Sequence, residues 1–509
     1  MRLGREGSEH RGLEGWADGG FFLLGLASLF WYLLRTGLKP SRAVYPCQRA
    51  ARLYAELWMV TYLLPVYAVA KALGDRRTLA LGAAVILVAG AAVALSTLNP
   101  PAPEPQAPAL EPDTAGADDV RFPVASWAAT AEPASDVYVV NGTGGGDGGL
   151  TVLLELMASR GAMFYRSEDG APMSSPDGLI AADDVVIVKV NCQWDQRGGT
   201  NTDLLKELIQ AILDHPDGFT GEIVVADNGQ AQGGSGNSGG SLDWSECNAE
   251  DHSQSAQRVV DGFASSGKVS TYLWDTITTT RVDEYEDGDL RDGFVVNETR
   301  NSRTGIMVSY PKFTTVHGTM ISFKHGVWDD SSASYDSGRL KVVSVPVLKT
   351  HSNYGVTGAV KHYMGVPSDL LTRGLGARTH NTIARGGMGT LMAETRFPAI
   401  TIMDAIWVNA NPAVGVGVGY AGPSTPYDRA TRVNVVAAST DPVALDYWAA
   451  KHVLMKAAPP NQSLNNMDPD FDEPGFFGYW FMLSMEELNR AGIWATIDPT
   501  HINVYAASR

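Results

Sequence analysis

The chain has 509 residues, 44% of them apolar, with 39 Lys and Arg against 56 Asp and Glu and a formal net charge of -17. The apolar share excludes a disordered chain, and the acidic excess argues against a general nucleic-acid binder. Three cysteines, Cys47, Cys192 and Cys247, are too few and too scattered for a disulfide framework, an iron-sulfur cluster or a CxxC zinc site, so a metal would have to rest on His, Asp, Glu or Lys. The charge is also uneven. The first 98 residues hold 11 basic and 6 acidic side chains, net +5, and the rest hold 28 and 50, net -22.

In chain order, the front end reads as membrane. Residues 78–98 form an uncharged apolar run that, at about 1.5 Å rise per residue, spans a hydrocarbon core of roughly 30 Å. Residues 21–34 and 57–70 are as apolar but shorter, which predicts two or three transmembrane or re-entrant helices over residues 1–98. A signal peptide is the alternative for the first run, but Arg35, Lys39 and Arg42 follow it in place of a small-residue cleavage site. Residues 99–120 carry six prolines, five acidic residues and no Lys or Arg. An exported flank and an extended spacer over 99–135 are expected from that, with the chain multi-pass in the cell membrane and its large domain extracytoplasmic.

From residue 136, short β-branched runs alternate with helical stretches. Strands are expected at 137–140, 185–190, 222–226, 341–347, 399–403 and 432–437, and helices at 150–159, 203–214 with Thr202 as N-cap, 356–364 and 443–456. Alternation of this kind predicts an α/β class: two doubly wound parallel or mixed sheets with helices on both faces, one in 136–232 and one in 336–509, preceded by the α-helical membrane region. Residues 233–335, Gly- and Ser-rich at first and then mixed, read as an insertion or lid.

Several motifs carry chemistry. Gly144, Gly146 and Gly149 fit GxGxxG between a strand and a helix, where backbone amides could cradle the phosphate of a nucleotide; six glycines in eight positions equally describe a flexible structural loop. Asp227 and Asn228 end a predicted strand before a Gly-rich loop, a place for a cofactor or for a solvated turn. Residues 340–367 are the most informative. A strand delivers Lys349 and His351, and the following helix carries Lys361 and His362, with Arg373, Arg378 and His380 downstream. This basic run in an acidic domain points to a small anionic substrate or a metal. Lys361, His351 and His380 are the candidate catalytic groups, and Lys349, Arg373, Arg378 and His362 the candidate substrate contacts. Asp404, at the end of an apolar strand, joins His351 and His380 as a candidate metal ligand. Asp441, before Pro442, reads equally as a helix cap, and Asp446 follows on the same helix.

The blocks VVIVKVN, EIVVADNG, VPVLKTHSNYGVTGAVKHYMG, RTH, MDAIW and AASTDPVALD, from about Val185 to Val453, together resemble the domain-of-unknown-function family 362. That resemblance implies the α/β fold more than an activity. Family members often have Asn after the lysine that here precedes His362, and some carry iron-sulfur modules that this chain lacks. His351 and Lys361, ten residues apart, with His380 further on, are also similar to the lactate racemase family, in which such residues hold a nickel-containing cofactor with the lysine bound covalently. The resemblance implies metal-facing or acid/base roles for His351 and His380 and a covalent or charge-pairing role for Lys361. The expected function is thus an enzyme moving a proton or hydride on a small anionic substrate, with a divalent metal or nickel cofactor and no iron-sulfur cluster. The alternatives are a non-catalytic anionic-ligand binder or assembly factor, and a nucleotide-dependent enzyme using the Gly144 loop.

Overall fold

The computed structural model describes residues 134–230, 239–244, 246–351, 353–372, 378–411 and 424–509, all within one compact unit, Gly116–Arg509. Ten strands form one sheet: β1 (Ser135–Asn141), β2 (Val185–Lys189), β3 (Glu222–Asp227), β4 (Lys268–Leu273), β5 (Leu340–Ser344), β6 (Val347–His351), β7 (Gly355–Thr357), β8 (Ile400–Asn409), β9 (Thr431–Ser439) and β10 (Ile502–Ser508). The order is β10-β1-β9-β8-β5-β2-β3-β4, with β6 paired to β8 and β7. All pairings along the path are parallel except those of β9 with β1 and β8.

Strand alternation sorts the core onto two faces. In β2, Val185 and Ile187 join one apolar cluster while Val186 and Val188 join the other, and Val224 and Ala226 of β3 divide in the same way from Ile223 and Val225. The second face is covered by α1 (Gly149–Ala158) and α2 (Thr202–Leu213) through Leu150, Leu153, Leu204 and Leu208. Helices α3 (Ala359–His362), α4 (Gly387–Glu394), α5 (Pro442–Ala449) and α6 (Phe477–Arg490) cover the first through Val360, Leu391, Val443 and Phe477. The cap of α2 is Asn201, whose side chain accepts from the Asp203 and Leu204 amides, and not Thr202. A five-stranded antiparallel sheet spans 293–336, and three two-residue strands between 165 and 181 form a small parallel sheet.

The fold expectation is corrected in two respects. Strands from 136–232 and from 336–509 lie in one sheet, with β5 between β8 and β2, so there are not two doubly wound sheets; β4, from the stretch read as an insertion, closes one edge. The membrane-embedded front and the multi-pass, extracytoplasmic placement are also withdrawn, because no helix among the described residues is long and apolar enough to cross a membrane. The runs at 21–34, 57–70 and 78–98 on which they rested lie outside the described residues.

Candidate functional site

The strand expected at 341–347 is broken after Ser344, where Val345 and Pro346 leave the ladder, and resumes as β6. Pro has no N–H to donate, but its carbonyl still accepts from the Asp404 amide at 2.8 Å. The second half carries Lys349 and His351 to the carboxyl end of the sheet, the edge where ligands of parallel α/β folds bind. A hairpin then pairs His351 with Gly355 and Lys349 with Thr357. Gly355 has φ +75°, and a Cβ there would stand 1.9 Å from the Asn466 carbonyl oxygen. The expected helix over 356–364 is therefore a strand, a single helical turn (α3) and a 3₁₀ turn. The amides of Ala359 and Val360 at the start of α3 donate to the two oxygens of Asp446, at 2.6 and 2.9 Å. A Cβ on Gly358 would lie 2.1 Å from Asp446 Oδ1, so only glycine lets that carboxyl reach the turn. Burial pushes the Asp446 carboxyl up to about 7 against these two donors.

Lys361 and His362 leave α3 in different directions, since adjacent helical residues are about 100° apart. His362 points into the core: one ring nitrogen donates to the Val190 carbonyl at 2.8 Å and the other meets the Ser344 hydroxyl at 2.9 Å. Burial, then the nearby Lys189, holds it well below the ordinary imidazole value, so it is a neutral core histidine with both ring nitrogens satisfied. Lys361 points instead toward Tyr354. Its ammonium lies 5.0 Å from the ring centroid, with the His351 ring at 5.0 Å and the His380 ring at 6.3 Å from the same tyrosine. The Tyr354 hydroxyl donates to the His380 carbonyl, and the Trp480 indole N–H donates to the Tyr354 carbonyl, which fixes the ring between α6 and the 378–380 segment.

The lysines are the unusual members. Lys361 is 6% exposed, and among the described residues its ammonium has no hydrogen-bond or ion-pair partner. Burial brings it down to about 8, with Asp369 pulling the other way from a distance. Lys349, 1% exposed, donates to the Gly198 carbonyl and is pushed down to about 7 by burial and then by the charge of Lys361.

The histidines are held as complementary tautomers. His351 Nδ1 accepts from the Asn353 amide at 3.1 Å, so its proton sits on Nε2; burial, then the charges of Lys361, His380 and Lys349, keeps it neutral. His380 Nδ1 donates to Asp369 Oδ2, which leaves the Nε2 lone pair free. Asp369 was not anticipated. It is 1% exposed and also accepts from Arg378 Nε at 2.7 Å and the Thr379 amide at 2.8 Å. Burial works to raise it, yet its bonds and charge contacts with His380 and Arg378 hold it below the ordinary carboxylate value. His380 itself is lowered by burial in spite of Asp369. One signal was available: Asp369 is the only acidic residue between His351 and His380.

The remaining candidates are placed elsewhere. Asp227 is engaged within the protein: it pairs with buried Lys189 at 2.7 Å and accepts from the Cys192 amide at 2.8 Å. The residues after it are a buried bracket, with Asn228 donating to the Pro367 carbonyl and Gln230 to the Met364 carbonyl. Asp404 is fully buried and accepts from the Asn201 and Ile406 amides and the Asn248 side chain, so its oxygens are already used by protein donors; burial raises it to about 6. Asp441 caps α5. In the Gly144 loop the Gly144 and Gly149 amides donate to Asp147, and the Gly148 and Leu150 amides to Glu207. Two carboxylates thus stand where a phosphate would, and Gly146 and Gly149 are small because Asp203 and Thr143 pack against them. Arg373 lies outside the described residues. Among the described residues no three of His, Cys, Asp and Glu are grouped so as to hold a metal ion.

Comparisons with known proteins bear on the same segment. A search of the curated proteins and a search of the solved structures each returned no match, so the likeness to lactate racemase gains no support. Residues 340–451, from the strand that leads to Lys349 through α5 and its Asp446, match the family described as Domain of unknown function (DUF362). The segment that builds the Lys361 cluster is therefore the part of the chain similar to that family.

Proposed function

We propose that the chain binds a small anionic substrate between Lys361, Lys349 and Arg378, and that His380 moves a proton at the carbon next to the bound carboxylate. The observation that carries this reading is Lys361, a buried lysine whose ammonium has no hydrogen-bond or ion-pair partner among the described residues. A lone buried cation costs several kcal/mol unless it is paired or sheds its proton, and the depressed values of both lysines express that cost. An anionic ligand would supply the missing counter-charge. His380, oriented by Asp369, offers a base, and His351 offers an N–H donor on the same tyrosine ring.

The test has two readouts. Binding is followed by calorimetry with acetate, pyruvate and phosphate, and proton transfer by NMR through exchange of α-hydrogens of the bound carboxylate in heavy water. His380→Asn should retain binding and slow exchange about 100-fold or more, the usual worth of a general base. Absence of binding by any of the three anions removes the site; binding without exchange leaves only a non-catalytic binder.

A further inference from the structure

The arrangement of Lys361 has chemistry beyond holding charge. A lysine becomes a nucleophile when it is desolvated or placed beside another cation, because either condition leaves a neutral amine available near physiological pH. Lys361 meets the first condition: it is buried, and burial brings it down to about 8. Among the described residues no donor engages its nitrogen lone pair and no acceptor its protons, whereas buried Lys189 is tied to Asp227. His351 and His380 pack around the same Tyr354 ring as Lys361, the first with an N–H on Nε2 and the second with a lone pair there.

Building on the anion-site reading, we propose that the substrate class is a 2-oxo carboxylate and that Lys361 captures its carbonyl as an imine. The neutral amine attacks the carbonyl carbon, forming a C–N bond as the C=O electron pair moves to oxygen. His380 Nε2 takes one proton from the attacking nitrogen and delivers it to that oxygen, which His351 Nε2–H steadies by a hydrogen bond. His380 then takes the second N–H proton of this carbinolamine and gives it to the departing hydroxyl, so that water leaves, the C=N bond forms and both histidines end neutral. The sum is amine plus carbonyl giving imine plus water, with no change of oxidation state. The carboxylate of the oxo acid lies against the remaining N–H groups of Lys349 and Arg378, each of which has donors beyond the one already engaged.

The experiment is reductive trapping of the full chain with pyruvate and cyanoborohydride, read by intact mass and peptide mapping. The expected product is one adduct, heavier by one pyruvic acid less one oxygen, on Lys361. At pH 8 an amine titrating near 8 holds about a hundredfold more neutral form than an ordinary lysine, and labelling should be faster by about that factor. Lys361→Arg, which keeps the cation but has no amine to condense, should lose the adduct. Equal labelling of surface lysines, or an adduct that persists in Lys361→Arg, overturns the imine. A thermal shift with pyruvate but no adduct also overturns it and leaves the anion site standing. Neither shift nor adduct overturns both.

Discussion

Two neighbouring residues, Lys361 and His362, show how little a linear run of basic side chains says about their fates. Both are buried, yet one imidazole is closed by a carbonyl and a hydroxyl while the ammonium beside it is left open. The open lysine and its neighbour Lys349 make a sign-definite prediction. Their folded values, about 8 and about 7, lie below the ordinary 10.5, so between pH 7 and 9 the unfolded chain binds more protons than the native one. Stability then rises with pH, by at most about 1.4 kcal/mol per pH unit for each lysine. Urea denaturation at pH 7, 8 and 9 should show the rise, and a double Lys349→Met, Lys361→Met variant should lose it. Anion binding runs the other way. A ligand that needs the protonated lysines stabilises most below pH 7 and progressively less as pH climbs past 8. A phosphate-induced thermal shift as large at pH 9 as at pH 6.5 would contradict this.

At the level of elements, the short turn α3 is held less by its own sequence than by Asp446 on α5. Removing that carboxyl in Asp446→Ala leaves two buried amides without acceptors, at about 1–3 kcal/mol each. Gly358→Ala should produce a similar loss, because its Cβ would displace the Asp446 oxygen. Both variants should lower the denaturation midpoint by the equivalent of about 2–4 kcal/mol and weaken pyruvate binding, since α3 carries Lys361. An unchanged midpoint in both would show that the cap is dispensable. The same region shows what could be read in advance. The β-branched runs at 185–190 and 222–226 are buried on both faces and mark their strands plainly, and the run at 432–437 is buried from Val435 onward. The edge strands β4 and β10 were not legible, because a strand with one neighbour is half exposed and carries mixed residues. The helix expected at 356–364 was shortened by Gly355 and Gly358, whose reasons lie in Asn466 and Asp446, far along the chain. Lys349, His351, Lys361, Arg378 and His380 were legible as a basic run, whereas Asp369 became visible only once the fold brought it under His380. Asp227, read as a cofactor contact, and Asp404, read as a metal ligand, both accept from buried amides, a use of a strand-end carboxylate that the sequence pattern does not distinguish.

On the scale of the molecule, one sheet gathers strands from nearly the whole described length. β10 adds to β1 over seven parallel register pairs, from Ser135–Ile502 to Asn141–Ser508. Deleting Ile502–Ser508 would expose the β1 edge and remove a buried Ile502, so a loss of at least about 3 kcal/mol is expected, the scale of one large core truncation. A truncated chain that keeps the full-length denaturation midpoint would show that the sheet ends at β1.

The close approach of Gly365 to the Lys189–Asp227 pair bears on how the basic cluster meets a ligand. A Cβ at Gly365 would fall 2.0 Å from Asp227 Oδ1 and 2.6 Å from Lys189 Nζ, so the turn that follows Lys361 already rests on an incompressible ionic floor. The cluster therefore has no inward travel. Any adjustment to the proposed anion would fall to the rim, where His351 and Arg378 keep some contact with solvent.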